Sequence, residues 1–289
     1  MKNLLQIIKE AENNKVAIGH FNVSDNSGLK GIFNAAKELN LPIIIGVSEG
    51  EREFFGTKRI ADAVKSIREE FNWPIYLNAD HTKSLEKVKE AVEAGFDAIL
   101  FDAGKLSLEE NIKKTKEVVE YIRSINPQIL VEGELGYIGG GSTILKEIPK
   151  DVSIGEEDLT KPEEARQFVR ETGVDLIAPA VGNIHGMFKN APNPDIDIER
   201  IKKIKEASGV PLVLHGGSGI TDSDFMAAIE AGISIIHINT EIRAAWRNSL
   251  ERALKENPEE VVPYKLLSKA VDGVSEVVKA RLKLFNKII

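Results

Sequence analysis

Short runs of β-branched and aliphatic residues recur along the chain, most followed by a stretch with apolar residues at three- and four-residue spacing. Eight of these runs read as strands: KVAIGHF, PIIIGVS, PIYLNA, DAILFD, QILVEGE, LIAPAV, PLVLHG and SIIHIN. They are continuously apolar rather than alternating, the pattern of strands buried on both faces and therefore of a parallel sheet. The stretches between them, such as GLKGIFNAAKELN, SLEKVKEAVEAG and IERIKKIKEASG, read as amphipathic helices covering a core. Several end in Gly or Asn, which accept the left-handed conformation that stops a helix. Eight β–α units in a row predict an α/β fold, a (β/α)8 TIM barrel, as one domain over residues 1–289. Two segments break the rhythm. A long loop after the fifth strand runs from Tyr137 to Lys161, and a loop of that length in a compact fold is a functional or moving part. Its successive glycines, Gly139 to Gly141, suit a hinge. From about Tyr264 a helical extension follows the eighth unit, to be packed on the barrel or on a neighbouring subunit.

Composition narrows the function. A chain of 289 residues suits one barrel with extensions, since such a barrel takes roughly 250. No apolar run approaches the ~18–20 residues needed to span a bilayer. The first residues, MKNLLQIIKEAENN, are too polar for a signal peptide, so a cytoplasmic location is expected, without membrane partners. The absence of cysteine excludes disulfides and thiolate metal sites and leaves His, Asp and Glu as ligands. A net charge of −7 argues against nucleic acid as a partner. A small anionic substrate would need local positive charge.

Each of the five histidines falls near the end of an apolar run: His20, His81, His185, His215 and His237. In an α/β barrel the C-terminal strand ends form one face, where chemistry collects. His81, His185 and His215 come from the third, sixth and seventh strand ends and can converge on one divalent ion. HGGSG offers Gly216, Gly217 and Ser218 at a strand-to-helix turn, as phosphate binding by backbone N–H groups requires.

The contexts of these residues resemble the class II, metal-dependent ketose-bisphosphate aldolases, which act on fructose or tagatose bisphosphate. The resemblance rests on LNADH at 77–81, FDAGKLSLEENIKKTKEVV at 101–119, VEGELG at 131–136, LTKPEEARQFVRETGVD at 159–175, GNIHG at 182–186, HGGSG at 215–219 and INTEIR at 238–243. It implies reversible cleavage of fructose 1,6-bisphosphate to dihydroxyacetone phosphate and glyceraldehyde 3-phosphate, through an ene-diolate stabilised by Zn2+ or another divalent ion. A monovalent cation is an accessory, and the assembly is a homodimer or homotetramer.

Carried over residue by residue, the resemblance puts the metal on His81, His185 and His215. Glu134 becomes an alternative or more distant ligand, and Asp102 an outer, second-metal position; either could instead accept from strand-end amides. Asp80 becomes the acid/base at the C4 oxygen, although an Asp there could also cap the following helix. One phosphate falls to Gly186, Lys189, Gly216, Gly217, Ser218, Asn239 and Thr240. The other falls to Ser48 and Arg281, an arginine that in the family can reach the site of a neighbouring subunit and that could equally be a solvated charge. The chain departs from the family in the long loop, where GGGSTILKE replaces the usual acidic residues and Glu147 is the candidate substitute. His237 stands where the family has asparagine, facing the substrate or adding a metal ligand.

Other readings make different demands. A Schiff-base aldolase needs a desolvated lysine at a strand exit, for which Lys105 is the candidate. A metal-dependent hydrolase would want a His-x-His in the first strand, which is missing. A non-catalytic barrel would have no need to keep Asp80 with three histidines.

Overall fold

Two-sided burial of the apolar runs is satisfied by closing them into a ring. The computed structural model describes residues 2–139, 141–145, 155–189 and 193–288. Barrel strands β1 (Ile18–Asn22), β2 (Ile43–Val47), β3 (Ile75–Thr82), β4 (Ala98–Phe101) and β5 (Leu130–Leu135) are followed by a short strand, β6 (Ile144–Leu145). Then come β7 (Leu176–Pro179), a second short strand β8 (Met187–Phe188), β9 (Leu212–Leu214) and β10 (Ile233–Ile238). The closed parallel barrel has the order β1-β10-β9-β7-β5-β4-β3-β2, while β6 and β8 pair only with each other. That small ladder joins the long loop to the segment after β7, and two-residue strands leave no periodic signal to read.

The helices wrap the barrel in the expected places: α2 (Asn26–Leu39), α4 (Thr57–Phe71), α5 (Leu85–Ala94), α6 (Leu108–Ile125), α7 (Pro162–Thr172), α8 (Ile198–Ser208), α9 (Asp222–Ala231) and α10 (Thr240–Glu256). Three more are α1 (Leu4–Asn14), the short α3 (Glu49–Phe55) and the terminal α11 (Pro263–Phe285). Asn40, Asn72, Gly95, Gly173 and Gly209 close their helices in the left-handed region as the sequence suggests, whereas Asn126 is extended. The C-terminal extension packs on its own barrel, against α2 and α10. Among the described residues no helix is long and apolar enough to cross a membrane.

Strand alternation sorts the barrel interior into layers. The lowest takes apolar residues from all eight barrel strands, from Ile18 on β1 to Ile235 on β10, two of them (Leu176 and Ala178) from β7. Helix α1 closes this end with Leu4, Ile8 and Ala11, and Tyr76 Oη donates to the Lys2 carbonyl at 2.7 Å. Two residues further along, five of the eight strands present polar side chains, His20, Asn78, Glu132, His215 and His237, all buried, while Gly46, Leu100 and Ala178 stand on the other three. Aliphatic side chains fill this position in most such barrels; here the interior changes character just below the C-terminal mouth.

Ile8 is fully buried in the lower layer, far from that mouth. Ile8→Ala is expected to cost about 2–5 kcal/mol in urea unfolding, the usual range for removing a buried aliphatic side chain. The metal content of the folded protein should not change.

Candidate active site

The upper mouth is built around a departure from strand geometry. Asp80 and His81 are neighbours on β3, so regular alternation would send them to opposite faces. His81 instead has φ 44°, and the register between β3 and β4 shifts from Ala79 to Thr82. A left-handed non-glycine residue in a strand is strained and needs support from its surroundings. Arg52 on α3 supplies it. Its buried guanidinium donates to the carbonyls of Val47 (2.8 Å) and Asp80 (3.4 Å) and to Thr82 Oγ1 (3.2 Å). Both Asp80 and His81 therefore line one cavity of about 690 Å3. The helix-capping role open to Asp80 is taken by Ser84, whose side chain accepts from Lys87 N–H.

Three of the histidines meet here. The ring centroids of His81, His185 and His215 lie 4.9 to 5.6 Å apart. One ligand atom from each, with one from Glu134, falls within 4.8 Å of all the others. His185 does not sit on a strand; it follows β7 by six residues and is held by its N–H to the Ile138 carbonyl at 3.0 Å. Asn183 locks this turn to the next strand end, donating to the His215 carbonyl at 3.0 Å.

The partners of each ring decide which nitrogen is left over. His81 Nδ1 donates to Asp102 Oδ2 at 3.0 Å, which leaves Nε2. His215 Nε2 shares a proton with Glu132 Oε1 across 2.9 Å, which leaves Nδ1. His215 Nδ1, His185 Nε2, Glu134 Oε2 and Asp80 Oδ1 are buried without any hydrogen-bond partner among the described residues. Orphaned buried polar atoms are rare and call for a missing partner. Three imidazoles and a carboxylate suit a divalent ion such as zinc, so the donor set fits a metal. Asp102 and Glu132 are placed as the carboxylates that commonly orient metal-binding histidines. Asp102 thus touches a candidate ligand directly, where the sequence suggested an outer metal position.

Electrostatics follow from this packing. Burial pushes the Glu134 and Glu132 carboxyls up to about 8, with Asp102 adding to the effect on Glu134. Burial also disfavours charge on His81, but Asp80, the Asp102 hydrogen bond and Glu134 outweigh it and raise the ring to about 10. For Asp80, burial is overcome by His81, His20, His215 and the Asn22 hydrogen bond, which hold the carboxyl well below the usual range. His215 is lowered to about 3, chiefly by burial. Asp80 is thus ionised.

Around this centre lie most of the residues expected at the substrate. Ser48, Gly186, Gly216, Gly217, Ser218, His237, Asn239 and Thr240 line the same cavity. Some of their polar atoms are already engaged: Gly217 N–H donates to the His237 carbonyl, and Ser218 Oγ accepts from Asn239 and Glu241 N–H. Gly216 has φ 62°, and a Cβ there would lie 2.3 Å from the Ile184 carbonyl oxygen, so the turn admits only glycine. Lys189 and Arg281 do not line the cavity. Arg281 is bound by Glu241 and Asp222, at 2.8 to 2.9 Å. The arginine that does line it is Arg243, one turn into α10, which sequence reading overlooked. Arg243 Nη2 donates to Glu51 Oε1 at 2.7 Å and Nη1 to the Ser142 carbonyl at 3.2 Å. The same Glu51 accepts from Ser48 and from Asn22, and Asn22 also donates to Asp80 Oδ2 at 2.9 Å. Asn22, Glu51, Arg52, Glu132 and Arg243 have no role assigned from the sequence, although Glu132 stands in VEGELG and Arg243 in INTEIR; barrel closure brings them around Asp80. Glu147 lies outside the described residues.

Comparison with known proteins agrees with this geometry. A family model described as fructose-bisphosphate aldolase class-II matches residues 2–288. The fructose-bisphosphate aldolase of Geobacillus stearothermophilus is 34% identical over 288 residues, covering 98% of this chain and 96% of the relative. Among solved structures, the YdjI aldolase from Escherichia coli K12 superposes with a TM-score of 0.81 at 31% identity, over 99% of this chain and 97% of that one. A putative fructose-1,6-biphosphate aldolase from Coccidioides immitis gives 0.83 at 28%, over 98% and 96%.

Two outcomes are expected. Asp102→Asn should weaken divalent-metal binding by about 10–100-fold in chelator competition, because His81 loses its orienting acceptor. In metal-free protein, the raised Glu132, Glu134 and His81 keep protons that the unfolded chain has released. The folded state then binds more protons, so Tm should fall as pH rises between about 7 and 9. Saturating zinc should flatten that slope.

Proposed function

The chain belongs to the class II fructose-bisphosphate aldolase family, and on that premise we propose that it reversibly cleaves fructose 1,6-bisphosphate to dihydroxyacetone phosphate and glyceraldehyde 3-phosphate. The observation that carries this reading is the meeting of three imidazoles, Glu134 and an ionised Asp80 at one cavity mouth. In this reading His81, His185 and His215 hold a divalent ion, zinc or another, with Glu134 beside them. When bound, the ion supplies Lewis acidity to the carbonyl and hydroxyl oxygens of the substrate.

The chain's own residues do the rest. Asp80 Oδ1, which has no hydrogen-bond partner among the described residues, takes the proton from the C4 hydroxyl. The C4 oxygen then forms the aldehyde, the C3–C4 bond breaks, and its electron pair remains on the dihydroxyacetone phosphate half. That half needs a proton at C3, a task assigned on sequence alone to Glu147. Asn22, fixed between Glu51 and Asp80, keeps the Asp80 carboxylate aimed into the cavity. Gly186, Gly216, Gly217, Ser218, Asn239 and Thr240 cradle one phosphate, and Ser48 with Arg243 meets the other. Within one chain the cationic contact is therefore Arg243, and Arg281 remains a contact only to a neighbouring subunit's site. A Schiff-base reading loses ground because Lys105 is exposed and sits over the Tyr137 ring at 4.3 Å, not in a desolvated pocket. A homodimer or homotetramer in the cytoplasm belongs to the same proposal.

The test is cleavage of fructose and tagatose 1,6-bisphosphate side by side, with chelator and with zinc restored. Cleavage of the fructose epimer that chelator stops and zinc restores is expected; exclusive cleavage of the tagatose epimer would reassign the substrate. Asp80→Asn should lower kcat by about 100-fold or more while metal stoichiometry is kept. Glu147→Gln should slow solvent exchange of the C3 proton of dihydroxyacetone phosphate, and unchanged exchange would remove Glu147 from the mechanism.

A further inference from the structure

His20 is buried beneath the mouth and does not line the cavity. Its position follows from barrel closure. β1 pairs with β10 in a register that sets His20 directly opposite His237, both on the inward face. Their rings stack with centroids 3.4 Å apart and planes within 4°. The column continues, since His237 packs at 3.9 Å on His215. On the far side the barrel makes room for the ring: a Cβ on Gly46 would lie 2.1 Å from His20 Cε1. His237 lines the cavity, with Nδ1 3.5 Å from Asp80 Oδ1.

The ligand atoms of His20, Asp80 and His237 fall within 4.8 Å of one another, as a metal site requires. Parallel rings nevertheless direct their lone pairs along parallel planes, so no single ion can lie in both. Ring against ring is a packing relation. His20 fills the space behind His237 and leaves it no retreat from Asp80.

We propose that His20 is a positioning residue: stacked on His237, it holds that ring beside Asp80, and the pair sets which ketose the site accepts. A wall fixed next to the group that meets the C4 oxygen discriminates between substrates differing at that carbon. Selection rests on the aldolase reading; the positioning does not.

Two measurements on the zinc-loaded enzyme test it, using H20F, H20A, H20Q and H237N. The first is the Cε1–H resonance of His237 in histidine-labelled protein, assigned through its loss in H237N. In wild type it should carry an upfield ring-current shift from His20. H20F should keep that shift, and H20A and H20Q should lose it. An unchanged resonance in both H20A and H20Q would overturn the positioning role.

The second measurement is the ratio of kcat/KM for fructose over tagatose 1,6-bisphosphate. H20A should change this ratio by about 10-fold or more, on the scale of a lost packing contact in a substrate pocket. H20F should restore it to within about threefold of wild type, and adding H20A to H237N should change it no further. Equal losses on both sugars, or an undiminished effect in the H237N background, would reduce His20 to a structural residue. If wild type cleaves neither sugar, the aldolase reading and the selection role fail together, and the resonance still decides whether the His20 and His237 rings stack.

Discussion

Buried carboxylates need a counter-charge. Asp80, Glu132 and Glu134 are each no more than 3% exposed, inside a barrel whose lower layer is wholly apolar. Taking an ionised carboxylate out of water without a partner is among the costliest steps in folding. Without a cation the centre compromises by keeping protons, so that Glu132 and Glu134 are pushed to about 8 and His81 to about 10. A divalent ion among His81, His185, His215 and Glu134 would replace those protons and satisfy the orphaned nitrogens and oxygens in one event. Metal binding and site stability would then be a single equilibrium.

The remaining features serve to bring those donors to one point. The left-handed backbone at His81 turns two consecutive residues of one strand to the same cavity, and buried Arg52 holds the distorted strand end by hydrogen bonds. Asp102 and Glu132 choose which nitrogen of each ring is spent on the protein. Asn183 ties the turn that carries His185 to the strand end that carries His215. At the rim, Glu51 links Arg243 and Ser48 to Asn22, and Asn22 in turn reaches Asp80. A charge at the outer edge of the cavity is thereby connected by hydrogen bonds to the carboxylate at its centre.

The barrel was legible in the sequence because burial on both faces writes every strand as an apolar run. His81, His185 and His215 were legible because each stands in a motif at the mouth, where barrel chemistry gathers. What escaped depends on contacts distant in sequence. Helix α1 seals the lower end, yet its polar flanks resemble an ordinary N-terminus. Arg281 and Arg243 look alike in an amphipathic helix; only the ion pairs of Arg281 with Glu241 and Asp222 show that it is occupied elsewhere. Glu132 reads as one more residue of an apolar strand until its neighbour across the interior proves to be His215. The His20–His237 stack exists only once the first strand closes on the last.

X-ray absorption at the metal edge of the zinc-loaded protein tests the central claim most directly. The account predicts a first shell containing three imidazole nitrogens at about 2.0–2.1 Å, with the outer-ring scattering that imidazole gives. Loss of one imidazole should follow in each of the His81, His185 and His215 alanine variants. A shell of oxygen alone, or one unchanged by those substitutions, would contradict it.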